Sequence, residues 1–269
     1  MKKSADGQKY RHHFCFYLLL STLITIAVLS AAGLVLAKAG MLDFLRPSVS
    51  GQSDGQSSFG SVSLPEVDNP VKESAEAEDE SYFDDAVFLG DSLTYGISSY
   101  DILKNAIVLA EPGITLEGAM TTRLATFPGG ERATLVDAVS HYEPGKIYVM
   151  LGTNGFAFTS LDDFIKQYGE MLDTLIEQNP NAIIYVQSIL PVCSFLTEQD
   201  SRYSNRTIDR FNDALLTLAN EKGVHYLNVA ERFKTSDGSM NPRYSSDGMH
   251  ISQGAYDYWI EYLLSHTAK

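Results

Sequence analysis

A chain of 269 residues with a net charge of −14 is long for one compact domain and short for two, so part of it is expected to lie outside the fold. Residues 1–39 hold five of the 20 Lys and Arg but only one of the 34 Asp and Glu, which leaves 15 basic against 33 acidic residues beyond, a net of −18. That balance argues against nucleic acid or anionic lipid headgroups as the main partner of the remainder. The two cysteines, Cys15 and Cys193, lie far apart, and no CxxC or Cys/His cluster accompanies them; free thiols are expected and zinc is not.

Residues 1–13 form a basic tail with Lys2, Lys3, Lys9 and Arg11. The run from Phe14 to Leu36 then carries no charge, and about 20 apolar residues are enough to cross the hydrocarbon of a bilayer. Residues 14–36 are therefore expected to be a transmembrane anchor, with the N-terminus cytoplasmic and the bulk of the chain on the other side. The competing reading is a signal peptide cleaved after Ala37-Lys38-Ala39. The run is longer than the roughly 7 to 15 residues of a usual signal-peptide core, which favours the anchor. Residues 37–81 are rich in Ser, Gly, Pro and acids and read as a flexible tether, because such a composition buries too little apolar surface to offset chain entropy.

From 82 to 269 short apolar runs alternate with helical patterns. Ala86 to Gly90, Ala106 to Ala110, Lys146 to Gly152, Ala182 to Leu190 and Val224 to Ala230 are nearly continuous in hydrophobicity, as strands of a parallel sheet covered on both faces are. Leu161, Phe164, Ile165, Tyr168, Leu172, Leu175 and Ile176 repeat at helical spacing, with Ser160 and Asp163 as a capping pair and Asn179-Pro180 as the stop. A second stripe, Ile208, Phe211, Leu215 and Leu218, stops at Gly223, and a last helix runs from Ala255 to about Ser265. The order predicts one three-layer α/β/α domain around a five-stranded parallel sheet, preceded by the transmembrane helix. In such sheets ligands bind beyond the carboxyl ends of the strands.

The residues at those ends are Asp91-Ser92, Glu111-Pro112-Gly113 and Thr153-Asn154-Gly155, and past the fifth strand stand Asp247 and His250. A serine hydroxyl is a weak nucleophile that needs a base within reach. A histidine serves near neutral pH if a carboxylate holds its tautomer. Glycine N–H groups and an asparagine amide can hold the oxyanion of a tetrahedral intermediate. Taken singly each has a plainer reading: Ser92 could cap the helix after the first strand, Gly113 and Asn154-Gly155 could make turns, and His250 could be structural. His141 and His225 lie near strands and read as structural. Asn205-Arg206-Thr207 matches a glycosylation sequon, a short pattern common by chance.

Taken together, GDSLT at 90–94, the glycine of PGIT at 112–115, GTN at 152–154 and DGMH at 247–250 resemble the four blocks of the SGNH, or GDSL-type, hydrolases. The resemblance covers about residues 84–266. It implies a flavodoxin-like sandwich, with Ser92 as nucleophile, His250 as base and Asp247 orienting His250. It also implies an oxyanion hole made by the Ser92 N–H, the Gly113 N–H and the Asn154 amide. Gly155 stands where the family usually has Asp, and the second block lacks a frequent asparagine. No cofactor or metal is implied.

The expected function is a serine esterase that removes acyl groups, acetyl above all, from a cell-wall or extracellular carbohydrate. A lysophospholipase or thioesterase acting on lipid esters, an O-acetyltransferase, and a non-catalytic carbohydrate-binding domain are the competing readings. The segment from Pro191 to Ser204 is expected to border the site.

Overall fold

The computed structural model describes residues 67–268. In chain order it contains β1 (Ala86–Gly90), α1 (Ser92–Ser99), β2 (Ile107–Ala110), α2 (Leu116–Thr121) and a small hairpin of β3 (Ala125–Thr126) and β4 (Arg132–Ala133). There follow α3 (Leu135–Val139), β5 (Lys146–Met150), α4 (Leu161–Gln178), β6 (Ile183–Gln187), α5 (Ser194–Gln199) and α6 (Asn205–Lys222). The chain closes with β7 (His225–Leu227), α7 (Ala230–Phe233) and α8 (Tyr256–Ser265). The main sheet has the order β2-β1-β5-β6-β7, and every neighbouring pair is parallel.

Each strand of this sheet is covered twice, as its unbroken hydrophobicity requires. On one face Val87, Leu89, Ile147, Val149, Ile184 and Val186 pack against α2, α3, α4 and α6. On the other, Phe88, Tyr148, Tyr185 and Leu227 meet α1, α7 and α8. Phe88, Tyr148 and Tyr185 stack across three adjacent strands, with ring centroids 4.8 and 4.7 Å apart. Trp259, fully buried, donates its indole N–H to Gln187 Oε1 at 2.7 Å, tying α8 to the sheet.

The helix ends follow from the residues that stand there. Ser160 accepts from the Asp163 N–H at 3.1 Å while its hydroxyl donates to the Asp163 carboxylate at 2.6 Å, a side-chain cap that satisfies an otherwise orphaned donor. Gly223 closes α6 in the left-handed conformation. Four strands are shorter than their apolar runs, β2 by a single residue. After Gln187 the ladder gives way to side-chain bonds, with Asn212 accepting from the Ile189 N–H and donating to the Ile189 carbonyl. Ile189, Leu190 and Val229 stay buried in loops, which is why hydrophobicity alone overran the strands.

Residues 67–81 fall within the segment expected as tether, yet they lie against the domain. The Val71 N–H donates to the Tyr226 carbonyl at 2.9 Å, and Ser74 and Glu78 donate to Ser265 and Leu264. Asn69 accepts from the Tyr226 N–H at 2.7 Å and donates to the Val224 carbonyl at 2.8 Å. The free edge of β7 is thus partly capped by the incoming chain.

The expected transmembrane element of the fold is corrected. Among the described residues no helix is long and apolar enough to cross a membrane. The two longest, α4 and α6 at 18 residues each, bury one stripe against the core and leave charges such as Asp162, Lys166, Arg210 and Glu221 outside it, as amphipathic helices do. The apolar run at 14–36 lies outside the described residues, and with it the expectations of a membrane partner and a single-pass localisation, which no described helix supports.

Candidate active site

The site assembles where three loops leave the carboxyl edge of the sheet. Asp91, fully buried, is the N-cap of α1: its Oδ1 accepts from the Leu93 N–H at 3.1 Å. The cap therefore belongs to Asp91, and Ser92 takes the first helical position with its hydroxyl free of that duty. The Ser92 Oγ lies 2.9 Å from His250 Nε2. Tyr256 fixes α1 from α8 by donating its hydroxyl to the Leu93 carbonyl at 2.8 Å.

His250 is held by its own loop. Its Nδ1 lies 2.7 Å from Asp247 Oδ2, while Asp247 Oδ1 accepts from the Met249 N–H at 2.9 Å, the His250 N–H at 2.8 Å and the Ser245 hydroxyl at 3.1 Å. Partial burial works to raise the Asp247 carboxyl, but the hydrogen bonds from Met249 and His250 outweigh it and hold the group down to about 2. Asp247 is therefore a carboxylate at any working pH. An anionic acceptor on Nδ1 places that proton there and leaves Nε2 with its lone pair facing the Ser92 hydroxyl. The side chains of His250 and Asp247 remain 48% and 54% exposed, so the pair opens to solvent.

The tight shape of this loop comes from Gly248. Its φ of +89° is one L side chains rarely adopt, and an added Cβ would lie 2.9 Å from Phe195 and 3.0 Å from Leu196. Its N–H donates to the Ser245 hydroxyl at 2.8 Å, and its carbonyl accepts from the Cys193 N–H at 2.8 Å. The segment from Pro191 to Ser204 thus borders the site through α5. Cys193 is buried and reduced, and burial pushes its thiol up.

Gly113 and Asn154 stand on the other side. Glu111-Pro112-Gly113-Ile114 forms a turn closed by the Ile114 N–H donating to the Glu111 carbonyl at 3.2 Å. Its third position needs a positive φ, which Gly113 supplies at +78°. The Gly113 N–H has no hydrogen-bond partner among the described residues. Asn154 donates its amide to the Ile114 carbonyl at 3.0 Å, joining the two loops, and its second amide hydrogen is left for another acceptor. Within the turn that carries Asn154, Gly155 and Phe156 donate to the Gly152 carbonyl, and Phe158 and Thr159 to the Gly155 carbonyl. These four bonds order a loop in which Gly155 stands at the position of the absent carboxylate.

Sequence reasoning missed several supports. Ser245 and Phe195 act through contacts that only the folded chain makes. Asn205, the asparagine of the sequon, accepts from the Val192 N–H and donates to the Val192 carbonyl, both at 2.8 Å. Its amide thus serves the loop below α5. His141 stacks on Phe127 and His225 is partly buried beside Tyr185; neither joins the site. Among the described residues no group of His, Cys, Asp and Glu is arranged to hold a metal.

A family model described as the GDSL-like lipase/acylhydrolase family matches residues 88–258. Among solved structures, the fold resembles a GDSL-like lipase from Bacteroides thetaiotaomicron, with 18% identity and a TM-score of 0.51 over 69% of this chain and 88% of that one. It resembles to the same degree a protein from Slackia heliotrinireducens provisionally assigned as an SGNH hydrolase, with 18% identity and a TM-score of 0.51 over 68% of this chain and 98% of that one. At such identity the likeness is one of fold. A search of curated proteins returns no match. The sequence match spans well over half of the chain and includes Ser92, Gly113, Asn154, Asp247 and His250: the chain belongs to the GDSL-like lipase/acylhydrolase family and is a serine hydrolase of esters.

Proposed function

We propose that Ser92 is the nucleophile, that His250 is its general base and acid, and that the ester cleaved is an acetyl ester on a carbohydrate of the cell-wall or extracellular type. The observation that carries the assignment is the unbroken chain of hydrogen bonds from Ser92 Oγ to His250 Nε2 and from His250 Nδ1 to Asp247 Oδ2. Ser92 Oγ attacks the acyl carbon while its proton passes to His250 Nε2, and the imidazolium that forms is held by the Asp247 carboxylate. The carbonyl electrons move to oxygen, and the oxyanion is received by the Ser92 N–H, the Gly113 N–H and the Asn154 amide. Collapse expels the alcohol, which takes the proton from His250. Water, deprotonated by His250, then releases the acid and restores Ser92.

The half-exposed His250 and Asp247 favour a substrate large and polar on its alcohol side, because the surface around the base is open. A long acyl chain would need an extended apolar trough to leave water. The domain's negative charge also suits a neutral glycan better than an anionic lipid surface.

The test is hydrolysis of acetylated xylan, acetylated peptidoglycan and a matched pair of p-nitrophenyl esters, acetate and octanoate, by the wild type and Ser92→Ala. Release of acetate from the polysaccharides, lost in the variant, is expected. A preference for octanoate would move the substrate to lipids, and equal inertness of both proteins would leave a glycan-binding domain.

A further inference from the structure

Phe158 is the most exposed of the large hydrophobic residues described, at 62%, and its place is unusual for one. It sits in the turn that carries Asn154, four residues on, and its N–H donates to the Gly155 carbonyl at 2.9 Å. An exposed phenylalanine on a free loop samples several rotamers. This one is confined. The Tyr203 ring meets Phe158 edge-on at 6.3 Å between centroids, and the Arg202 guanidinium lies over the ring, 5.0 Å from its centre. Arg202 is itself fixed by Asp200, whose two carboxylate oxygens take its Nε and Nη2 in a forked pair. Arg202 lies over one face and Tyr203 packs against the ring, yet Phe158 keeps 62% of its surface exposed.

The wall behind this ring reaches the base. Tyr203 also packs edge-on against Phe156, and its carbonyl accepts from the Thr197 hydroxyl at 2.6 Å, joining it to α5, whose Phe195 and Leu196 lie against Gly248. One continuous segment, 194–204, thus links the loop of Asp247 and His250 to the turn of Asn154 and Phe158. Phe158 and Asn154 share one turn, four residues apart, tied through 194–204 to the loop of the base.

We propose that Phe158, held by Arg202 and Tyr203, is a stacking platform for a pyranose ring in the alcohol portion of the substrate. The C–H face of a pyranose is apolar and slightly electropositive and complements the negative face of an aromatic ring. Its equatorial hydroxyls project sideways to the polar rim formed by the Asp200–Arg202 ion pair, which offers a bare acyl chain no apolar surface. The inference rests on the carbohydrate-ester reading above and names Phe158 as a specificity residue within it.

Steady-state kinetics on acetylated xylo-oligosaccharides and on methyl acetate, for wild type, Phe158→Ala and Phe158→Tyr, test it. Phe158→Ala should raise KM for the oligosaccharides about tenfold with kcat within about twofold, should leave methyl acetate kinetics unchanged, and should keep the wild-type melting temperature because the ring is exposed. Phe158→Tyr should restore KM. An unchanged KM in Phe158→Ala, or an equal loss on methyl acetate, overturns the platform while the carbohydrate reading stands. A wild type that cleaves methyl acetate and no acetylated saccharide overturns the carbohydrate reading itself, and the platform falls with it.

Discussion

Ser92 and His250 are 158 positions apart in the chain, yet the hydroxyl of one lies 2.9 Å from Nε2 of the other. Asp91 is what frees the hydroxyl for that contact, since it supplies the cap of α1 that a serine at the same junction would otherwise provide. Ser92→Ala should therefore lower kcat/KM on an acetyl ester by about 10⁴-fold or more while the melting temperature stays within about 2 °C, because no cap is lost. A variant that retains activity within tenfold, or that unfolds, would remove Ser92 from the chemistry or give it the capping role.

Asp247→Asn separates orientation from charge. The asparagine carbonyl can keep the N–H donors of Met249 and His250 that Oδ1 now accepts, so the loop should hold. Its amide would then face Nδ1 as a donor, which forces the proton to Nε2 and turns the lone pair away from Ser92. Loss of about 10⁴-fold in kcat, with unfolding unchanged, is expected from initial rates at pH 7.5; a loss under tenfold would show that His250 needs no partner at Nδ1.

Gly248→Ala tests the fit of this loop to α5. At φ +89° any Cβ is strained, and here it would also meet Phe195 at 2.9 Å. A cost of about 1–3 kcal/mol in stability should come with reduced kcat, as the loop shifts Asp247 and His250 from α1. Chemical denaturation and kinetics on one preparation would read both, and a stable, fully active variant would show the contact with α5 to be loose.

What could be read without coordinates depended on whether the signal was local. The strand cores were legible because a strand covered on both faces must be apolar throughout; their ends were not, since Ile189 and Val229 are just as apolar but bury in loops held by side chains. The hairpin at Ala125–Ala133 escaped because two-residue strands carry no period. Asp247 and His250 were legible as a pair from their spacing of three, whereas Ser245, Phe195 and the brace that Arg202 puts on Phe158 depend on chain crossings with no sequence period. Asn69 was assigned to a tether on composition alone, and composition does not register one asparagine that pairs with a strand edge.

That asparagine is open to a direct test. Asn69→Ala removes the acceptor of the Tyr226 N–H and the donor to the Val224 carbonyl, leaving edge groups of β7 without partners. A loss of about 1–3 kcal/mol is expected. Lys72→Ala, in the same segment, removes only an ion pair whose two side chains are 77% and 76% exposed, and the change should be within about 0.5 kcal/mol. Urea unfolding of both variants decides: equal, small effects would mean that the two bonds of Asn69 add no net stability at the edge of β7.

Asp91 should give the protein a pH-dependent weakness. Burial raises its carboxyl to about 6, against the bond from the Leu93 N–H, the nearby Thr153 hydroxyl and the neighbouring His250, and its second oxygen has no partner within hydrogen-bond distance among the described residues. In the unfolded chain the same group titrates near ~3.9. The folded state thus binds the proton more tightly, so the stability this group contributes is present below about pH 4 and is lost as the pH rises through about 6. Asp91→Asn keeps a cap for α1 and carries no charge to bury. Whatever its constant offset, the stability of the variant relative to the wild type should grow by about 2 kcal/mol between pH 4 and pH 8, measured by urea unfolding at both ends of that range. A difference that does not move with pH would mean that Asp91 ionises in the folded protein as easily as in the unfolded one, with water or a polar neighbour reaching the oxygen that now has none.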